Sequence, residues 1–560
     1  MTDKIIRGAG GPPPTPPSPT RAPDTLNSRQ FASIQDLISE GEIEGFATPS
    51  KAGLSKGSTA YNNASLKDIF LDDTPILNST ASNTNPQTAD FNFQNVGFTP
   101  RFGTSNQTHV PGIEGSQSTT AVGVTVTNSS PVTRQITNTA VDAAKVTITF
   151  PQLQKATDEG DLLGSSVNLK IQVQYNSGGF TDVINDTITG RTADAYQKEY
   201  RVSFTGSFPV DIRVLRVTAD STSSNLVDAF TWTSISEIVD DKQRYLNSAY
   251  TNLRIDSEQF SSIPKRAFRI RGVKVRIPGV GASSSGTPTV DLQTGRIIYP
   301  TGYIFNGTMG AAQWCSCPAL ILLDLLTTER YGFGTHITDS NLDLFSFIAA
   351  SKYANELVDD GFGGQEARFS CNVNIQGSTE AFTLINELAG VMRCFPIWSE
   401  GSVTISQDRP TDPSYLFSLA NVGEGGFSYS GSSLKQRHTV INVSYFNMDS
   451  REIDYEVVED TTAQNKLGII KKDVKAFACT SRGQAQRLGK AILFSEQQET
   501  EVVSFTTSID AGAIVRPGSV ISVNDPVRGG VRRSGRIKSA TTTAITVDNV
   551  KDLDTFTGTN

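Results

Sequence analysis

The run "REIDYEVVED" (Arg451–Asp460) sets Asp454, Glu456, Glu459 and Asp460 close together. Paired carboxylates are the minimum for cleaving a glycosidic bond. One protonates the leaving oxygen while the other attacks or activates water. Residues two apart on a strand share a face, so Asp454 and Glu456 stand side by side. Carboxylates on an exposed strand face are ordinarily just solvated. The pair therefore defines the alternative reading, a glycan-binding or glycan-cleaving protein, and not the leading one.

Other candidate chemistry fails on spacing. Cys315, Cys317, Cys371, Cys394 and Cys479 are odd in number. Cys315 and Cys317 form C-x-C, with no second close pair to complete a tetrahedral metal site. They read as small apolar core thiols of a chain folded under reducing conditions. His109, His336 and His438 are too scattered for a metal site. Asp72 and Asp73 read as a turn, because the alternating oxygen ligands of a calcium loop are missing. "DDGFGGQE" (Asp359–Glu366) has the glycine density of a phosphate cradle without its Lys or its strand–loop–helix setting, so a tight turn is expected. No G-x-S-x-G, H-E-x-x-H or P-loop occurs. The reading is a chain with no catalytic residue, no metal ligand and no cofactor, and not an enzyme.

The most basic stretch is "KRAFRIRGVKVRI" (Lys265–Ile277), in which six of thirteen residues are Lys or Arg. Apolar residues alternate at Phe268 and Ile270, then at Val273, Val275 and Ile277. The parity flips at Gly272, which reads as a β-bulge. Arg269, Arg271, Lys274 and Arg276 then share one charged face. A single-stranded nucleic-acid site would interleave aromatic stacking partners with such charges. Here only Phe268 is near, and its parity puts it on the core side. The whole chain is acidic, 49 Lys and Arg against 57 Asp and Glu, for a formal charge of −8. Stable nucleic-acid binding is therefore not expected.

The elements that must carry these residues are mostly strands. Charged residues are only 19 %, and Ser, Thr, Asn, Gln and 47 Gly fill the difference. "FASIQDLISEGEIEGF" (Phe31–Phe46) places Ile34, Leu37 and Ile38 on one helical face. "SLKDIFLDDTPIL" (Ser65–Leu77) reads as strand, turn, strand. "AAKVTITF", "VNLKIQVQY" and "VDIRVLRVTAD" alternate at period two, and "NSGGF" (Asn176–Phe180) signals a hairpin, so residues 85–239 read as a β-sandwich.

Helices follow in the middle. One is expected after Ser316 as cap and Pro318 in the first turn. The next carries Leu344, Phe345, Ile348 and Leu357 on a stripe, and a third Phe382, Ile385, Leu388 and Met392. A hairpin turns at Glu400-Gly401. A last helix starts at a Thr480 or Ser481 cap, and short strands end the chain. The first 28 residues, with "GGPPPTPPSPTRAP", read as a flexible Pro-rich arm, either a disordered end or a strap over a neighbouring subunit. The N-terminus has no apolar core of export-signal length. The longest apolar run, "PALILLDLL", contains Asp324 and falls well short of the roughly 20 residues that span a bilayer. The expectation is a soluble chain made in a cytoplasm, with no membrane-spanning segment.

Nine segments in collinear order carry a resemblance: "SIQDLISEGEIEGF", "DDTPILN", "SEIVDDKQ", "RIDSEQF", "RYGFG", "VDDGFGGQEARFSCN", "MRCFPIW", "SQDRPTD" and "FACTSRGQAQRLG". From about residue 30 to about residue 550 the chain resembles the N-terminal hub region of the tail-tip attachment proteins (host specificity protein J) of lambda-like long-tailed phages. The resemblance implies a mainly β, multidomain tail hub with an α+β middle region, baseplate-hub-like barrels and an inserted β-sandwich. It implies a homotrimer at the distal tip of a non-contractile tail. It also implies that the trimer closes the tail tube until infection and passes the adsorption signal that releases DNA.

The implied partners are distal tail and tail-tip proteins, the tape-measure protein and the tail tube. A tail fibre and the host receptor would be reached through a C-terminal region or another chain. The expected domains are the arm, 1–28; a discontinuous barrel-like hub domain, 29–84 with 240–310; the sandwich, 85–239; an α+β hub domain, 311–400; a β-rich hub domain, 401–480; and a helix with a small β-domain, 481–560. Family members continue into fibronectin-type repeats, a fibre and a receptor-binding tip. The sequence here stops at Asn560, so it reads as a fragment, or else another chain carries the fibre. On this reading Arg269, Arg271, Lys274 and Arg276 face a subunit interface or the tube lumen, and the alternative becomes a glycan-binding or glycan-cleaving tail protein.

Overall fold

The computed structural model describes residues 20–28, 31–256, 258–260, 262–377, 380–399, 401–433, 437–528 and 536–547. It is mainly β, and the chain divides into two compact units, Met1–Gly272 and Val273–Asn560.

The first unit opens on a strand where helical spacing predicts a helix. Phe31–Glu40 pairs antiparallel with Ser248–Asp256, which also pairs with Gly97–Phe102. Burial alternates along it, with Ala32, Ile34, Asp36 and Ile38 turned inward and Leu37 66 % exposed. The apparent helical face was a coincidence of spacing, and pairing with a strand far along the chain outweighs it. Asp72 and Asp73 form the expected turn, both with left-handed φ, between Ile69–Leu71 and Thr74–Pro75.

The middle of this unit is a sandwich of two four-stranded antiparallel sheets. One runs in the order Thr181–Gly190, Ser165–Tyr175, Val210–Arg216, Val132–Ile136. The other runs Tyr196–Ser203, Ala143–Phe150, Thr231–Asp240, Glu114–Thr125. Their inward residues alternate and interdigitate in one core that includes Trp232, Phe150, Phe230, Ile148 and Ile171. Asn176 and Ser177, both left-handed, make the hairpin turn.

Residues 20–28 lie along this sandwich. Arg21 bridges to Leu162, Thr25 N donates to Arg191 O, and Leu26 packs against the core. Arg191, 2 % exposed, donates to Ala22 O at 2.8 Å and to the Asp24 carboxylate at 2.5 Å. This part of the arm straps its own chain. Residues 1–19 lie outside the described residues.

The second unit packs the helices Pro318–Thr327, Leu344–Ala354 and Ala381–Val391 around Leu320, Leu323, Phe347, Leu388 and Met392. The first helix is capped at Cys317 without a side-chain bond, and the Ser316 hydroxyl donates to Thr294 O instead. Phe345, Leu357 and Phe382 leave the expected core stripes: they are 61 %, 49 % and 69 % exposed. Cys394–Ser399 and Ser402–Gln407 form the hairpin; Gly401 is left-handed in its turn and Glu400 lies outside the described residues.

Farther on, the sheet Glu452–Glu459, Val440–Asn447, Lys471–Lys475 is covered on one face by the helix Arg482–Gln498, whose Ser481 cap accepts from Gln484 N. No sheet among the described residues closes into a barrel; outside the sandwich each has two or three strands in open order. No helix there is long and apolar enough to cross a membrane.

Candidate interaction surfaces

The basic run is three short strands, not one bulged strand. Arg266–Phe268 pairs with Ile69–Leu71, Ile270–Val273 with Ile43–Phe46, and Val275–Pro278 with Met309–Gln313. The ladder breaks at Arg269 and at Lys274, and the chain changes partner at each break.

The charges are consumed locally. Arg266 grips the Asp36 carboxylate with two bonds of 2.6 and 2.8 Å. Arg269 reaches fully buried Asp68, which also accepts from Thr48 N. Burial pushes the Asp68 carboxyl up, opposed by the Thr48 amide and the Arg269 guanidinium. Arg276 holds Asp339 with two bonds of 2.8 Å, which draw that carboxyl below its usual range against partial burial. Arg271 is 2 % exposed and Lys274 is half-buried. The four residues therefore do not share one open face: Arg271 is inside, while Arg269 and Arg276 keep part of their surface outside. Their carboxylate partners lie 201 and 63 residues away, and that of Arg266 lies 230 away, so no spacing in the sequence announces them.

The Asp454–Glu456 pair shares its strand face, but the two residues meet different surroundings. Glu456 is 6 % exposed and accepts from Arg482 Nε at 2.7 Å. Asp454 is exposed. It accepts from Tyr455 N and the Tyr445 hydroxyl, and the Tyr455 amide leads in holding its carboxyl below the usual range. A general acid at neutral pH needs its pKa raised, the reverse of what Asp454 shows. All five thiols are buried, which pushes Cys371 and Cys394 to about 12, Cys479 to about 11 and the other two up as well. Protonated thiols are poor ligands and nucleophiles. No group of three or more metal-binding side chains occurs among the described residues. A shallow apolar dent beside Pro278, Val280, Thr308 and Met309 has no ionisable lining residue.

Sequence reasoning missed the outer face of the sheet that carries this pair. Ile453, Tyr455 and Val457 are 63 %, 60 % and 54 % exposed, and Phe446, opposite Ile453, is 41 % exposed. The signal was present as apolar residues alternating with carboxylates. Parity separates two faces but does not say which one is inward.

Comparison with known proteins points in one direction. Residues 116–241 match the family described as "Tip attachment protein J, FNIII-A domain", and residues 380–539 match "Putative phage tail protein". The tip attachment protein J of Escherichia phage SECphi27 is 30 % identical over 528 residues, 94 % of this chain and 41 % of that protein. That of Escherichia phage SECphi4 is 30 % identical over 551 residues, 97 % of this chain and 45 % of that protein. The chain thus spans less than half the length of these relatives. Among solved structures, the prophage MuSo2 43 kDa tail protein from Shewanella oneidensis is 10 % identical over 71 % of this chain and 89 % of that one, with a TM-score of 0.23, too low to carry an argument.

Proposed function

We propose, from the premise that this chain is a homologue of tip attachment protein J and a structural component of a bacteriophage tail, that it is the trimeric hub at the distal tip of a long non-contractile tail. Three copies close the tail tube, contact the distal tail and tape-measure proteins, and link the tube to a receptor-binding fibre. Adsorption at the receptor is then relayed through the hub to DNA ejection.

The observation that carries this reading is identity of 30 % over 528 residues, 94 % of the chain. Interior chemistry supports a structural part: the buried carboxylates Asp68 and Glu456 hold arginines, and all five thiols are buried. The glycan-cleaving alternative needs Glu456 free, whereas Arg482 occupies it.

The test is a copy count in purified, imaged tails carrying a tagged chain. Three copies at the tip are expected. A position along the shaft, absence from mature tails, or a count other than three would refute the hub.

A further inference from the structure

The sheet Glu452–Glu459, Val440–Asn447, Lys471–Lys475 has two unlike edges. Its central strand sends the amides of Val440 and Phe446 to Ile470 O and Cys479 O, toward the lysine side. Alternation then turns Ile441, Val443 and Tyr445 toward the acidic strand, where they lie opposite Val458, Glu456 and Asp454. The backbone of Ile453, Tyr455 and Val457 is left facing the outer edge, unpaired by any strand among the described residues. These are the same three residues whose apolar side chains stand more than half exposed. The solvent face of an antiparallel sheet is normally polar, and an apolar edge strand is a template for pairing. At its centre the Tyr455 amide donates to the neighbouring Asp454 carboxylate at 2.8 Å, a side chain standing where a partner carbonyl would.

The opposite edge is basic. In "KKDVK" (Lys471–Lys475), Lys472 is tied to Glu496 at 3.0 Å, while Lys471 and Lys475 are exposed on the same face as Tyr455. The acidic strand runs antiparallel to the central strand and the basic strand runs parallel to it, so the two edges run opposite ways. Two acidic edges brought together would set Glu452 and Asp454 against their own copies. In an antiparallel ladder of the acidic edge against the basic edge, paired residues share a face, so Tyr455, Val457 and Glu459 of one copy can lie opposite Lys475, Asp473 and Lys471 of the next, and Glu459 meets Lys471.

We propose that Glu452–Glu459 of one copy takes Lys471–Lys475 of the next, strand against strand and head to tail, covering Ile453, Tyr455 and Val457. Such a contact closes a ring when the rotation per copy divides the circle. The inference rests on the hub reading above and names the surface by which its copies meet.

The test uses the full chain with paired cysteines. Tyr455→Cys is combined in turn with Lys471→Cys, Asp473→Cys and Lys475→Cys, and the chain is oxidised mildly. Within one chain the two edges are separated by the central strand, roughly 10 Å, too far for a disulfide. At least one pair is expected to give a covalent ladder up to the assembled mass, where the unsubstituted chain gives none. Lys471→Glu should weaken association at least tenfold, and adding Glu459→Lys to that chain should restore it.

Three outcomes bear against the proposal. If light scattering shows an oligomer and no pair cross-links, the contact lies elsewhere and the hub reading stands. If Tyr455→Lys leaves the oligomer intact and only blocks capture of another tail protein, the edge serves that protein and the proposal falls. If the chain is a monomer at every concentration and single in mature tails, the hub reading fails first.

Discussion

The two units differ in where they keep their apolar surface. Among the described residues before Gly272, ten large hydrophobic side chains are exposed; after it, twenty-nine are. The sandwich of the first unit buries Trp232, Phe150 and Phe230 completely and needs nothing outside the chain to do so. The second unit leaves Ile509 90 % and Val527 86 % exposed and lines a sheet edge with Ile453, Tyr455 and Val457. Single exposed hydrophobic side chains are ordinary, and what stands apart is a contiguous set such as Ile453, Tyr455 and Val457 with Phe446 beside them. The sandwich thus covers its own apolar surface, whereas the second unit leaves more of its own open.

The comparison breaks most directly at Trp232. Trp232→Ala removes a fully buried indole and should cost about 3–5 kcal/mol, read by circular dichroism in denaturant. A loss below about 1 kcal/mol would mean the sandwich does not cover its own apolar surface. Glu456→Gln weakens the buried bond to Arg482 and should cost about 1–3 kcal/mol. Ser481→Ala, which removes the helix cap, should cost about 1 kcal/mol.

Asp339→Asn should cost under about 1 kcal/mol, since the pair with Arg276 is half exposed. Because the Asp339 carboxyl is depressed, its contribution is present above the unfolded value near ~3.9 and lost as pH falls through the lower folded value. Mutant and parent should therefore converge in acid, and a gap that persists there would assign the loss to packing. Tyr455→Lys should change stability by less than about 0.5 kcal/mol, since the side chain faces solvent in one copy. A large loss would mean this face is supported within the chain.

What could be read from sequence follows from the range of each interaction. The sandwich was legible because period-two alternation in Ala143–Phe150 and Ser165–Tyr175 is local and both faces are distinct. Phe31–Glu40 was not, because its partner Ser248–Asp256 lies far along the chain and three isoleucine and leucine residues mimicked a helix. The basic run was read correctly as strand and incorrectly as one strand, since its carboxylate partners have no fixed spacing. The burial of Glu456 depends on a helix whose Arg482 comes 26 residues later. The open edge carries a legible pattern whose orientation only the three-dimensional sheet decides.

Arg191 has a practical consequence for dissecting the protein. Its guanidinium lies inside the sandwich, yet the acceptors that satisfy it, Ala22 O and Asp24, come from far upstream. An excised fragment beginning near residue 116 would lose the Ala22 and Asp24 acceptors of Arg191, and Gly190 would lose the cover of Thr25 and Leu26. Expression boundaries for the sandwich belong upstream of Thr20, or a short peptide spanning 20–28 has to be supplied in trans.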